Sequence, residues 1–290
     1  PVQPQAPEPA PQYRLEAWPD REYWSGLVFN GEKIGFSHLA LAPAAQHGQF
    51  EIRSEAAFAL RFLGFDKRVN LKAVDVVRED LDLVSFRYDY EIDGNRLLLA
   101  GERRDGGIAF TRTHGGEATS HVLPAEGRVH PQSAIGLHPA RHGLATGREY
   151  RYRVFSGELQ KVAEVTQRVA AYERSPLFAG EAFRVETALE GHEVRTWLSP
   201  RGAPLLEIGL GGVLIAGLED EDRARAYLAE ASLNKSEALV SFSLARPDRP
   251  IERPREVTTL RLAISGSDRA VPSDGIQRCS REGPQTLCVV

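Results

Sequence analysis

The sequence predicts a mostly antiparallel β protein, and three observations support this fold class. Hydrophobic and polar residues alternate with a period of two over several stretches of the chain. Short turns rich in Gly, Asn and Asp separate these stretches, and helix signals are few. This combination favours a meander of hairpins, because parallel βαβ units would need helix-length segments between the strands.

The alternation is clearest in four stretches. From Val84 to Ile92, hydrophobic residues at even positions alternate with polar residues at odd positions. The same period runs through residues 150–154 and 183–189. Between residues 52 and 62 one face carries the apolar members Ile52, Ala56, Phe58, Leu60 and Phe62. Because successive side chains of a strand point to opposite faces, each stretch predicts a strand with one buried face.

Turn sequences lie between these predicted strands. They are Asn30-Gly31, Asp93-Gly94, Asp105-Gly106-Gly107 and Glu190-Gly191. Gly, Asn and Asp tolerate the positive φ angles of tight hairpin turns. The sequence therefore predicts two successive meanders, joined near residues 130–146.

Two segments carry helix signals. Residues Glu219 to Ala231 open with acidic side chains, which suit the positive N-terminus of a helix, and continue with a thin apolar stripe. A shorter helix or turn is expected from Gln132 to His142, just after Pro131, since proline is favoured at the first helical position.

The predicted domain organisation has three parts. Residues 1–20 form a Pro-rich N-terminal linker, and residues 21–245 form the main antiparallel β domain. Residues 246–290 form a linker and a small C-terminal β unit that ends in a hairpin. The linker is predicted from the sequence ARPDRPIERPRE, whose prolines cannot lie inside a sheet.

Composition excludes several function classes. The net charge of −4 arises from 36 basic and 40 acidic residues without a Lys/Arg block, so no nucleic-acid partner is expected. The longest apolar stretch, residues 208–218, is far shorter than the roughly 20 residues of a transmembrane helix. No transmembrane segment is therefore predicted.

The first residues and the cysteines indicate an exported protein. The sequence begins at Pro1, contains no Met, and opens with a Pro-rich polar stretch that is typical of a mature terminus after signal-peptide cleavage. Cys279 and Cys288 are the only cysteines, and Gly283-Pro284 lies between them. If the flanking residues are facing strands, the two sulfurs meet across a hairpin. One structural disulfide implies an oxidising compartment, so a periplasmic or secreted location is expected; the alternative is a pair of free thiols in a cytosolic protein.

No catalytic or metal-binding residue emerges from the motifs. His130, His138 and His142 form the closest histidine group, but Pro139, Ala140 and Arg141 leave no acidic residue at the position that a zinc-protease helix requires. The sequence has no Gly-x-Ser-x-Gly element, and Gly209–Gly212 lacks the Lys-Ser/Thr of a phosphate loop. We therefore expect no metal, no cofactor and no enzymatic activity.

The apolar residues at the end of one predicted strand are the remaining candidate site. Phe62, Leu63 and Phe65 surround Gly64, which interrupts the strand. They are either ordinary core or the rim of an apolar groove on a curved sheet that holds a lipid, a peptide or a partner segment. Phe62, Leu63 and Phe65 are the predicted ligand-binding residues.

Several segments resemble a known family. Trp24 to Phe36, WSGLVFNGEKIGF, and Arg195 to Leu210, RTWLSPRGAPLLEIGL, resemble the β domains of exported bacterial proteins of unknown function. Residues 236–266 and 273–290 resemble the segment that follows this sheet in bacterial transglutaminase-like proteins. The resemblance implies a large curved antiparallel sheet or half-barrel, similar to that of lipoprotein carriers, with one supporting helix and a small C-terminal β unit. The family's catalytic residues would lie beyond Val290, so none is transferred to this chain.

Three function classes follow. The preferred one is a non-enzymatic periplasmic accessory or binding domain, acting beside a transglutaminase-like or other envelope partner. The alternative is a carrier of an apolar ligand or lipid in a groove of the curved sheet. A hydrolase without a recognisable motif is the third. An exposed apolar patch or strand edge would favour the first, a continuous cavity the second, and convergent titratable groups in a cleft the third.

Overall fold

The computed structural model describes residues 11–16, 21–29, 31–62, 65–225, 259–265, 273, 277–283 and 285–289. Among these, eighteen strands dominate and helices are short. The first eight strands are β1 (Arg21–Phe29), β2 (Glu32–Pro43), β3 (Gln49–Phe62), β4 (Phe65–Arg78), β5 (Leu83–Ile92), β6 (Asn95–Arg104), β7 (Gly107–His114) and β8 (Glu117–Pro124). The next seven are β9 (His130–Pro131), β10 (Glu149–Ser156), β11 (Lys161–Arg174), β12 (Glu181–Leu189), β13 (His192–Leu198), β14 (Pro204–Gly209) and β15 (Leu214–Glu219). A separate group comprises β16 (Arg261–Ser265), β17 (Arg278–Glu282) and β18 (Gln285–Val289). The predicted mostly β fold is confirmed.

One sheet contains the first fifteen strands, and its order confirms two meanders. Strands β1 to β8 follow one another as neighbours, as do β10 to β15. The meanders join where β1 pairs antiparallel with β15. The short β9 is parallel to β10 and makes the sheet mixed. Residues 130–146 connect the two meanders, as the sequence predicts.

Two predicted turns show why their residue types are required. At Asp93-Gly94 the φ angles are 52° and 79°, and at Glu190-Gly191 they are 52° and 79° as well. Both residues of each pair therefore adopt the left-handed region that a two-residue hairpin turn demands. These turns set the registers of β5 with β6 and of β12 with β13.

The sheet closes by overlapping itself. Val154 and Phe155 are neighbours on β10 and point to opposite faces, yet both are fully buried. Val154 packs against Ala163 and Val165. The Phe155 ring lies 4.7 Å from that of Phe86 and 5.8 Å from that of Phe110, on the far end of the first meander. Strand β10 is therefore covered on both sides, and the end of the first meander wraps around it.

Residues 130–144, here called the plug segment, fill one end of the curved sheet. The expected helix over 132–142 is two pieces: a 3₁₀ turn at Gln132–Ala134 and the helix α1 at His138–His142, with Pro139 in its first turn. Ala134 and Leu137 pack into a core cluster with Leu41, Ile52, Val77 and Leu81. The N-terminal stretch is tied to this segment, because Leu15 N–H donates to the Ala140 carbonyl at 2.8 Å.

A helical turn at residues 221–225 covers the outer face of the sheet. The Asp220 side chain caps it by accepting a 2.9 Å hydrogen bond from the Arg223 N–H. Ala224 is fully buried in a cluster with Trp24, Phe36 and Ala57. The rest of the helix predicted over 219–231 lies outside the described residues.

The chain divides into two compact units, Pro1–Ala238 and Leu239–Val290. In the second unit β18 lies between β16 and β17. Cys279 and Cys288 face each other in the β17–β18 register, with their Cα atoms 4.1 Å apart, and form the predicted disulfide. The predicted domain boundary at 245 falls outside the described residues and stays a prediction. No helix in the described part of the chain is long and apolar enough to cross a membrane.

Candidate ligand cavity

The inner side of the curved sheet holds an open cavity of about 910 Å³, lined by both meanders and by the plug segment. Its hydroxyl-bearing residues include Ser25, Ser37, Ser54, Ser133, Thr187 and Thr196. Its apolar residues include Leu27, Leu39, Leu71, Ile135, Leu189 and Val194. The interior is therefore amphipathic, and the sheet's inward-facing alternation explains why these residues converge.

The cavity extends to the end of the sheet opposite the plug segment. Gly157, Leu159 and Glu190 line it and belong to the turns that follow β10 and β12. This end of the cavity is here called the mouth, and Leu159 in it is 52% exposed. A Cβ atom on Gly157 would lie 2.4 Å from the Tyr88 ring and 2.5 Å from the Tyr90 hydroxyl. Glycine is thus required for the β10 end to pass so closely over these tyrosines.

Asp75 lies at the plug end of the cavity. Its Oδ1 accepts a 2.6 Å hydrogen bond from the Tyr88 hydroxyl, and its Oδ2 accepts one of 2.6 Å from Ser133 of the plug segment. Burial raises the pKa of this carboxyl to about 6, against the lowering effect of the two hydrogen bonds. The carboxyl links β4, β5 and the plug segment, and both of its oxygens have donors.

Glu207 on β14 is the second interior carboxyl. It pairs with Thr196 of β13 and Ala216 of β15 in the sheet register, and all three line the cavity. Its side chain has accessible surface, but protein surrounds it closely enough that burial raises its pKa. The accessible surface of Glu207 borders the cavity, which this residue lines. Its hydrogen bond from Thr196 Oγ1 is long, at 3.5 Å.

Carboxyl groups outnumber amines around the cavity. Glu158 lies near the mouth, and its negative charge contributes to the raised pKa of Tyr90, whose main cause is burial. The Lys161 ammonium lines the same region but is paired with Glu190. Among the described lining residues, acidic side chains therefore exceed basic ones.

A polar network on the second meander supports the cavity wall. Gln167 Nε2 donates to Thr187 Oγ1 at 3.0 Å and to the Ile135 carbonyl at 3.1 Å. Tyr152 donates its hydroxyl proton to Gln167 Oε1 at 2.6 Å. The network holds the plug segment against β11 and β12, since each buried polar group finds a partner.

The three neighbouring histidines pack as aromatic rings. The His138 ring stacks on Tyr152 at 3.8 Å and on His142 at 4.1 Å, and His130 lies edge-on to it at 5.3 Å. Burial lowers the pKa of His138 to about 2, so the ring is neutral. Within the described residues, no three His, Cys, Asp or Glu side chains are grouped so that they could hold a metal ion.

The predicted ligand-binding residues lie at the tip of the β3–β4 hairpin. Phe62 and Phe65 are paired in the register at this tip, and Leu63 lies outside the described residues. Their role in binding stays a prediction. Sequence reasoning missed Asp75 and Glu207. The available signal was a carboxylate among apolar strand residues, as in Val74-Asp75-Val76 and Leu206-Glu207-Ile208.

Comparisons with known proteins place the fold but not the function. No protein-family model and no curated protein matches the chain. A β-barrel-like protein of the domain of unknown function DUF1849 from Brucella abortus is similar in structure, with a TM-score of 0.51 and 11% identity, over 73% of this chain and 97% of that one. A DUF1089 family protein from Pseudomonas aeruginosa has a TM-score of 0.33 and 16% identity, over 58% of this chain and 87% of that one. The similarity to the DUF1849 protein supports the curved β domain expected from the sequence, whereas neither protein is described as transglutaminase-like.

Proposed function

We propose that this protein is a non-enzymatic binding domain that holds an elongated amphipathic small molecule inside its curved sheet. The observation that carries the proposal is the interior cavity of about 910 Å³ with a mouth at one end. Ligand pockets of proteins typically have volumes of roughly 300 to 1,000 Å³ and combine apolar walls with a few polar groups. The DUF1849 neighbour, itself β-barrel-like and of unknown function, is compatible with a binding role.

The composition of the cavity wall indicates the kind of ligand. A purely apolar molecule would leave the Ser25 and Ser54 hydroxyls without partners, at a cost in free energy for each. A ligand with an alkyl or aryl body and a polar end satisfies both classes of residue. The proposal therefore modifies the expected apolar carrier, and the amphipathic interior replaces the apolar groove near Phe62, Leu63 and Phe65 as the principal site.

We place this binding function in the cell envelope, beside a transglutaminase-like or other envelope protein. The Cys279–Cys288 disulfide supports an oxidising compartment. The resemblance of residues 236–266 and 273–290 to the segment that follows the sheet in transglutaminase-like proteins supports the choice of partner. The cavity would then keep a small molecule available to, or away from, that partner.

Filling the cavity tests the proposal. Ala56 lies on the inner face of β3 and lines the cavity, whereas Ala118 on the edge strand β8 is exposed. We expect Ala56→Trp to weaken binding of the neutral fluorescent probe N-phenyl-1-naphthylamine by about tenfold or more, because the indole occupies the ligand's space. The matched variant Ala118→Trp should leave the fluorescence titration unchanged. Equal probe affinity in all three proteins would overturn the proposal.

A further inference from the structure

We propose that the cavity selects an amphipathic ligand that carries a protonated amine, and that the Glu207 carboxylate binds this amine. The inference rests on the proposed binding function and adds the chemical class of the ligand. It follows from a comparison of the two interior carboxyls and from the charges around them.

The two carboxyls differ in the hydrogen bonds that the protein donates to their oxygens. Each Asp75 oxygen accepts a hydroxyl hydrogen bond of 2.6 Å, so both oxygens already have donors, from Tyr88 and Ser133. Glu207 has one contact of 3.5 Å with Thr196, at the limit of a hydrogen bond. Within the described part of the chain no cationic side chain forms an ion pair with it. A carboxylate accepts several hydrogen bonds, so most of the acceptor capacity of Glu207 is directed into the cavity.

The accessible surface of Glu207 shows that this capacity is open to a ligand. Its side chain retains exposed surface although neighbouring strands β13 and β15 flank it. The adjacent positions in the register are Thr196, which is 7% exposed, and the small Ala216. Glu207, Thr196 and Ala216 all line the cavity, so the carboxyl borders the volume that a ligand head group would occupy.

The surrounding charges favour a cation over an anion. Asp75, Glu158 and Glu207 all line the cavity, whereas the Lys161 ammonium is already paired with Glu190. A cleft lined by one sign of charge concentrates ligands of the opposite sign. An ammonium group donates three hydrogen bonds and would also offset the cost of a carboxylate held away from bulk water.

Three ten-carbon ligands that differ only in their head group test the inference. Decylamine, decanol and decanoate would compete with bound N-phenyl-1-naphthylamine on the full chain, at neutral pH and below their micelle concentrations. We expect decylamine to bind about tenfold more tightly than decanol, and decanoate to bind most weakly. Glu207→Gln should remove the preference for the amine while decanol affinity stays unchanged.

A matched variant separates the local effect from net charge. Glu193→Gln removes the same charge from an exposed position on β13 and should retain the preference for the amine. Equal affinities for decylamine and decanol, or a preference that survives Glu207→Gln, would overturn the amine inference. If none of the three ligands displaces the probe, or displacement is insensitive to Ala56→Trp, the proposed binding function itself fails.

Discussion

At the scale of single residues, Asp75 makes a prediction about pH. Its pKa rises from the ordinary value of 3.8 to about 6 in the folded protein, so the folded state holds its proton more tightly than the unfolded chain does. The stability that Asp75 contributes is present below pH 3.8 and is lost as pH rises through about 6. At about 1.4 kcal/mol for each pKa unit, the change is roughly 3 kcal/mol.

The variant Asp75→Asn should lack this dependence, because the amide cannot ionise. We expect the unfolding free energy of Asp75→Asn, relative to the wild type, to increase by roughly 3 kcal/mol between pH 3.8 and values above 6, as measured by urea unfolding. Asp89→Asn is the control, because a hydrogen bond from Arg96 lowers the pKa of Asp89 and reverses the sign. A constant difference between Asp75→Asn and wild type across this range would contradict the prediction.

The residue scale is also where sequence reasoning reached least far. The pairing of Cys279 with Cys288 was predictable, because a short loop with a Gly-Pro turn places the two residues opposite each other. The interior position of Glu207 was not, because only the order of the strands shows which face of β14 is enclosed. The same local sequence around Glu207 would occur if its carboxylate lay on an open face of the sheet.

At the scale of elements, the overlap of β10 with the first meander makes a prediction about stability. The Phe155 ring is fully buried among Phe86, Tyr88 and Phe110. We expect Phe155→Ala to reduce the unfolding free energy by about 3 to 5 kcal/mol, because it leaves a cavity at the overlap. Leu159→Ala, at an exposed site in the same hairpin, should change it by less than about 0.5 kcal/mol.

Hydrogen exchange would show whether this loss is local to the overlap. In Phe155→Ala we expect exchange in β5, β7 and β10 to accelerate together, because these strands share the same cluster. A loss of stability below about 1 kcal/mol would mean that the overlap contributes little to closing the sheet. The individual strands were predictable from their alternation, but this overlap was not. The alternation places Val154 and Phe155 on opposite faces of the strand, and so predicts one inward and one outward residue.

At the scale of the whole molecule, the sequence predicts the number and order of the meanders better than their closure. The turns at Asp93-Gly94 and Glu190-Gly191 determine local hairpins. The pairing of β1 with β15 joins residues nearly 200 positions apart, such as Trp24 and Glu219, and no local pattern encodes it. The cavity exists only because of that pairing and the β10 overlap, so its presence could not be derived from the alternation alone.

The two compact units make the last prediction, which concerns reduction of the disulfide. The unit of residues 239–290 contains strands of five residues, and among its described residues Cys288 and Thr286 are the buried ones. Such a small sheet is marginally stable without a cross-link, and the short loop gives the disulfide roughly 2 to 3 kcal/mol of stabilisation. The unit of residues 1–238 has its own core clusters.

Reduction of Cys279–Cys288 should therefore accelerate hydrogen exchange in β17 and β18 while exchange in β5 to β7 stays unchanged. The double variant Cys279→Ser/Cys288→Ser should behave like the reduced protein, and thiol titration of denatured, unreduced wild type should find almost no free thiol. Faster exchange in β5 to β7 after reduction would show that the two units stabilise each other, and two free thiols in protein purified without reductant would remove the disulfide argument for an envelope location.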